Sequence, residues 1–214
     1  MEISELIKWK KLETFFREGW AIKQSTHLYR KGLKEKFYFD FDNLTTDPIN
    51  CREITELYCK EIEGIRKLRD IDYLAFIEKA SGGTIGAIRF AAAISIFTEL
   101  PNITIRLAKE ISYERVKFNP PEKLKGLIGL IITDHITTGT EVLLAVDAIE
   151  ENEGKISDVV TYVLRVDRVN RNEFQRRNIN LHPIYGLIGK EGDTLSSSFR
   201  VIPYKKLKYE FSTS

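Results

Sequence analysis

From residue 70 to residue 189, apolar runs of strand length alternate with stretches of helix length, and this alternation constrains the fold more than any other feature of the chain. At its centre lies Leu127-Ile128-Gly129-Leu130-Ile131-Ile132, almost continuously apolar, as a parallel strand covered by helices on both faces must be. Strands over 73–77 and 103–107 precede it; strands over 159–166 and 181–188 follow. Helices are expected over 85–99, ended by Pro101, over 141–151 with Gly154 as its stop, and over 172–177. The fold class is therefore read as α/β, an open and mainly parallel sheet flanked by helices, with ligands expected at the carboxyl ends of its strands.

The flanks read differently. Ile3, Leu6, Ile7, Leu12, Phe15 and Phe16 recur at helical spacing before Gly19. Lys36-Phe37-Tyr38-Phe39-Asp40-Phe41 is a β-prone aromatic run, and Asp47-Pro48 supplies an N-cap and a first-turn proline for a helix over 49–65. The polar stretch 110–123 contains Pro120 and Pro121, which exclude regular structure around them, so an exposed, mobile loop is expected there. The tail over 199–214 reads as an extra strand or an extension. One domain over 1–214 is expected, with an N-terminal helix and hood in 1–66, the α/β core in 67–190 and a C-terminal extension in 191–214.

Composition excludes more than it assigns. The 33 basic and 31 acidic residues give a formal charge of +2 and are intermixed, which leaves no general electrostatic case for nucleic acid. Charges interrupt the first eleven residues, which read as neither a signal peptide nor a membrane span, so a cytoplasmic, membrane-free location is expected. Cys51 and Cys59 fall on one expected helix about 12 Å apart, too far for a disulfide. The three histidines, His27, His135 and His182, are scattered and no Cys/His pair has zinc-ligand spacing, so no protein-built metal site is expected; any metal should arrive with a phosphorylated ligand.

The chemistry concentrates at Thr133-Asp134-His135-Ile136-Thr137-Thr138-Gly139-Thr140. An acidic residue leaves a buried strand, a Thr/Gly turn follows, and a helix begins. At such a turn the first N–H groups of the helix lack intrahelical partners and converge, threonine hydroxyls add donors, and Gly139 permits close approach, which together make a phosphate cradle. Asp134 is placed to accept from ribose hydroxyls. The plain alternative is a β-to-α turn with a threonine N-cap. Ser81-Gly82-Gly83-Thr84-Ile85-Gly86 has the wrong glycine order for a dinucleotide fingerprint and lacks the Gly-Lys-Ser/Thr of a P-loop.

The run from Leu130 to Thr140 resembles the phosphoribosyl-diphosphate signature of type I phosphoribosyltransferases, and the order of the remaining pieces resembles the orotate phosphoribosyltransferases over most of residues 15–190. The resemblance implies that Ser81, Gly82, Gly83, Asp134, Thr137, Thr138, Gly139 and Thr140 bind 5-phosphoribosyl-1-diphosphate. It implies that Lys23, Phe37, Tyr38, Thr137 and Arg168 bind orotate, with the Arg168 fork on its carboxylate and the aromatic rings over its flat face. Lys109 and Asp134 are the implied catalytic residues, Mg²⁺ bound through the diphosphate the implied cofactor, and a homodimer the implied assembly. A surface ion pair for Arg168 and sheet packing for Phe37 and Phe39 are the plain alternatives.

The chain departs from that pattern in the segment from Thr26 to Lys36, which replaces a short Ser-Gly link, in the signature and in the catalytic loop. In the signature, Thr133 stands where a first acid is usual and His135 where a small apolar residue is usual; His135 is read as structural. In the run Lys109-Glu110-Ile111-Ser112-Tyr113-Glu114-Arg115, Ser112 replaces the second lysine of the family's catalytic loop and Glu114 its histidine, with Arg115 or Lys117 as substitutes if the loop register shifts. Two functions stay open: an enzyme forming a nucleoside monophosphate, and a ligand-sensing protein that kept the cradle and lost turnover.

Overall fold

The computed structural model describes residues 22–24, 37–39, 41–79, 86–107, 116–118, 124–188 and 200–203. The helix expected in 3–18, the loop Ser81 to Thr84 and the run Lys109 to Arg115 lie outside them. Strands β1 (Ile22–Gln24) and β2 (Phe37–Phe39) form a two-stranded antiparallel ribbon. The aromatic run does not continue as strand through Phe41, which instead opens the short helix α1 (Phe41–Leu44) and buries its ring edge-on against Phe90 and Tyr162.

Helix α2 (Pro48–Arg66) begins where the sequence places it: the Asp47 carboxylate accepts from the Ile49 N–H at 2.9 Å, and Pro48 occupies the first turn. Ile54, Tyr58, Ile62 and Ile65 share its buried face, each contributing roughly 1.5–3 kcal/mol by leaving water.

Strand β3 (Tyr73–Lys79) follows, then a 3-10 turn (Gly86–Phe90) that passes into helix α3 (Ala91–Thr98) and on to β4 (Asn102–Leu107). Helix α3 ends on Glu99, which takes the left-handed conformation (φ 57°) just before Pro101. Strand β5 (Val116–Phe118) corrects the expectation of an irregular loop over 110–123. It pairs antiparallel with β4, Ile105 opposite Phe118 and Leu107 opposite Val116, because both prolines fall beyond its last residue.

Strands β6 (Ile128–Ile136), β7 (Lys155–Arg165) and β8 (Asn180–Ile188) complete the parallel core, with helices α4 (Thr140–Glu151) and α5 (Arg171–Arg176) between them. Strand β9 (Arg200–Pro203) adds antiparallel to β8, as the tail suggested. The sheet order is β5-β4-β3-β6-β7-β8-β9, in which the five strands from β4 to β8 are parallel. Alternate residues of β6 feed two cores: Leu130 and Ile132 join Tyr58, Phe76 and Tyr162 on the α2 face, while Ile131 joins Val142, Val146 and Phe174 on the α4 face.

Gly154 does not stop α4 as expected. The helix is capped at Asn152 and the left-handed residue is Glu153 (φ 61°). Gly154 is required for packing, since a Cβ there would lie 2.9 Å from both Leu124 and Ile149.

Two features of the topology locate a site. The chain runs outward from β3 to β4 on one side and restarts with β6 on the other, so a crevice opens at the carboxyl ends between β3 and β6. In addition β6 outruns β3: their register stops at Phe76 opposite Ile132, whereas pairing with β7 continues to Ile136 opposite Leu164. Thr133, Asp134 and His135 therefore belong to a strand that projects past its neighbour, and the strand ends four residues later than the apolar run alone predicts.

Candidate active site

The turn from β6 to α4 is built around Gly139. Its φ of 88° is left-handed, and a Cβ there would sit 2.5 Å from the Phe174 ring, so both conformation and space demand glycine. Gly139 is also the N-cap, without a side-chain cap bond, so the plain alternative of a threonine N-cap does not hold. The threonines do something else: Thr138 Oγ1 and Thr140 Oγ1 are 3.0 Å apart, and Thr138 and Thr140 are exposed. Exposed hydroxyls at a helix start, where the Thr140 N–H also points to Thr138 Oγ1 at 3.4 Å, suit an anion.

Asp134 lies one element earlier and is buried. Its Oδ1 accepts from the His135 N–H at 2.8 Å and from the Thr133 hydroxyl at 3.3 Å, and the His135 Nδ1 stands 3.2 Å from Oδ2. His135, read from sequence as having no partner, thus flanks the one carboxylate of the signature. From α2, the Tyr58 hydroxyl donates to the Thr133 carbonyl at 2.9 Å, and from β7 the Thr161 hydroxyl reaches the Asp134 carbonyl at 3.4 Å. Burial, and then the Asp134 charge, push the Tyr58 phenol well above its ordinary range, so it stays a donor.

Arg168 lies beyond strand β7. The strand stops at Arg165, and Arg168 sits in the following turn, its N–H donating to the Arg165 carbonyl at 3.2 Å. Arg165 makes a two-point contact with Asp167, and Arg168 Nε is 3.9 Å from the same carboxylate. Just beyond, the Asn170 N–H donates to the Thr138 carbonyl at 3.2 Å, which fastens this arginine turn to the Thr/Gly turn.

The structure thereby brings together Asp134, the segment from Thr137 to Thr140, and the turn bearing Arg168. Lys23 and Tyr38 face each other across the β1–β2 register and Phe37 pairs with Gln24. Ser81, Gly82, Gly83 and Lys109 lie outside the described residues; β3 ends at Lys79, two residues before Ser81. Among the described residues no group of three or more His, Cys, Asp or Glu is placed to hold a metal, and no helix is long and apolar enough to cross a membrane.

An orotate phosphoribosyltransferase of Methanocaldococcus jannaschii is 28% identical over 177 residues, 83% of this chain and 93% of that protein. One from Methanosphaera stadtmanae is 28% identical over 174 residues, 81% and 91% of the two chains. Over most of its length the chain is similar to orotate phosphoribosyltransferases. Its fold is that of the type I phosphoribosyltransferases: the crystal structure of the orotate phosphoribosyltransferase from Aeropyrum pernix superposes with a TM-score of 0.59 at 17% identity, covering 80% of this chain and 92% of that one. An adenine phosphoribosyltransferase from Thermoanaerobacter pseudethanolicus superposes with a TM-score of 0.60 at 16% identity, covering 82% and 98%. No protein-family model matches the chain.

Sequence reasoning missed Tyr58, Phe174 and the Arg165–Asp167 pair. Tyr58 and Phe174 carried only the signal of a buried helical face. The Arg165–Asp167 spacing could have been noticed, since a charged residue at the end of an otherwise apolar strand asks for a partner.

Proposed function

We propose that the protein transfers the 5-phosphoribosyl group of phosphoribosyl diphosphate to orotate, giving orotidine 5′-monophosphate and diphosphate for pyrimidine nucleotide synthesis. The observation that carries this reading is the Asn170–Thr138 hydrogen bond, which sets an arginine turn suited to a planar carboxylate against a turn suited to a phosphate. Similarity to orotate phosphoribosyltransferases over most of the chain supports it.

In this reading the N–H groups and hydroxyls from Thr137 to Thr140 take the sugar phosphate, and Asp134 accepts from the ribose hydroxyls. Ser81, Gly82 and Gly83 approach the diphosphate, and Arg168 with Lys23 holds the orotate carboxylate while Phe37 and Tyr38 cover the ring. A ring nitrogen of the base forms its bond to C1 as the C1–oxygen bond to diphosphate breaks; the electron pair leaves with the diphosphate and the nitrogen loses its proton. Lys109 neutralises charge growing on that leaving group. Mg²⁺, when bound, neutralises diphosphate oxygens; the all-oxygen donors at the turn, the Asp134 carboxylate and the threonine hydroxyls, fit a hard cation that arrives on the ligand. The family resemblance also implies a homodimer.

The test is a product assay with phosphoribosyl diphosphate, Mg²⁺ and a panel of orotate, uracil and adenine. Orotidine 5′-monophosphate is the expected product. Binding of phosphoribosyl diphosphate with no nucleotide formed from any base would replace the enzyme by a sensing protein.

A further inference from the structure

Arg165 has no task in the transfer just described, yet it is a nearly buried arginine, 6% exposed, at the last position of β7 and opposite Leu187 of β8. Holding a guanidinium away from water is costly unless it is paired with good geometry. Here the geometry is a fork: Nε lies 3.2 Å from Asp167 Oδ1 and Nη2 lies 3.1 Å from Oδ2. Arg168 approaches the same carboxylate less closely, with Nε 3.9 Å from Oδ2. Two arginines thus border one carboxylate, and the two-point contact goes to Arg165.

The backbone makes this arrangement local to the site. The Arg165 carbonyl accepts from the N–H groups of both Arg168 and Val169, at 3.2 and 3.1 Å, closing the turn, and the Asn170 N–H then ties it to Thr138. Were Asp167 released from Arg165, its nearest cation on the turn would be Arg168. A protein carboxylate on Arg168 would compete directly with a carboxylate on the ligand.

We propose that Arg165 is a positioning residue that sets specificity for a carboxylate-bearing acceptor: by engaging Asp167 in a two-point fork it holds that carboxylate to a long 3.9 Å approach to Arg168, so that the two-point face of the Arg168 guanidinium is directed to the carboxylate of the base. The inference rests on the acceptor reading given above.

Arg165→Gln should raise the KM for orotate about tenfold while the KM for phosphoribosyl diphosphate and kcat at saturation stay within about twofold, and the preference for orotate over uracil should fall by the same factor as orotate binding. Adding Asp167→Asn should restore the orotate KM, because no carboxylate remains to capture Arg168; a merely structural role for Arg165 would give no such rescue. If Arg165→Gln does not fold, Arg165→Lys, which keeps the charge and loses the fork, should show the same split between the two substrates. An unchanged orotate KM in the single variant, or no recovery in the double variant, overturns the inference. Calorimetry on the wild type separates the two levels: a protein that binds neither orotate nor phosphoribosyl diphosphate fails the proposed function itself, and the inference falls with it.

Discussion

Phe174 lies directly against Gly139: a methyl group on that glycine would stand 2.5 Å from the ring's Cε2. The contact couples α5 to the turn that begins α4, across 35 residues of sequence. Gly139→Ala should therefore suffer twice, from the left-handed φ of 88° and from the ring, with the backbone part alone costing about 1–3 kcal/mol. Phosphoribosyl-diphosphate affinity should fall at least tenfold by calorimetry. In Gly139→Ala/Phe174→Leu the ring is gone and the φ is not, so affinity should recover only in part; full recovery would show that the backbone conformation is not what the turn needs.

Asp134→Asn should weaken phosphoribosyl-diphosphate binding by about tenfold or more and leave the fold intact. The amide keeps an oxygen for the His135 N–H while giving up the charge that favours ribose hydroxyls as donors. Titration calorimetry beside a thermal melt reads both. Unchanged affinity in a folded variant would remove Asp134 from the site.

These residues also show what could be read in advance. Asp134 and the turn from Thr137 to Thr140 were legible because the whole cradle is contiguous, and strand, turn and helix carry their own local signals. The parallel core was legible because burial on both faces leaves a continuous apolar run. Tyr58 was not, because its partner, the Thr133 carbonyl, is 75 residues away and backbone acceptors leave no mark in a sequence. Strand β5 was hidden by two prolines that lie just outside it, and β6 was read short because polar Thr133 and Asp134 looked like the start of a loop when they are the projecting end of the strand.

Ser112→Lys addresses the departing diphosphate. Ser112 lies outside the described residues, and the expectation follows from chemistry alone: a cation lost from the loop costs most where charge develops, in the transition state. Restoring it should raise kcat with orotate about tenfold, the effect of about 1.4 kcal/mol at the barrier, with little change in affinity. Steady-state kinetics beside calorimetry separates the two; a neutral substitution would mean that Lys109, Arg115 or Lys117 already fills the role.

Away from the site, near the amino ends of β7 and β8, Asp158 is fully buried with four partners: the Ser157 hydroxyl at 2.6 Å, His182 Nε2 at 2.8 Å, Asn180 Nδ2 at 3.2 Å and Arg69 Nη1 at 3.4 Å. Burial alone would raise its carboxyl pKa, but the hydrogen bonds from His182 and Ser157, with the charges of His182 and Arg69, outweigh that and hold it below the usual range. A carboxylate whose folded pKa lies below its unfolded value, about 3.9, stabilises the fold fully above that pH and loses its contribution as pH falls through the folded value. Asp158→Asn should cost about 2–4 kcal/mol near neutral pH, because an amide set among donors leaves some of them unpaired. Urea denaturation of wild type and variant should therefore show a wide gap in midpoint at pH 7 that narrows toward pH 3. A gap that stays constant across that range would mean that the cluster uses the shape of Asp158 and not its charge.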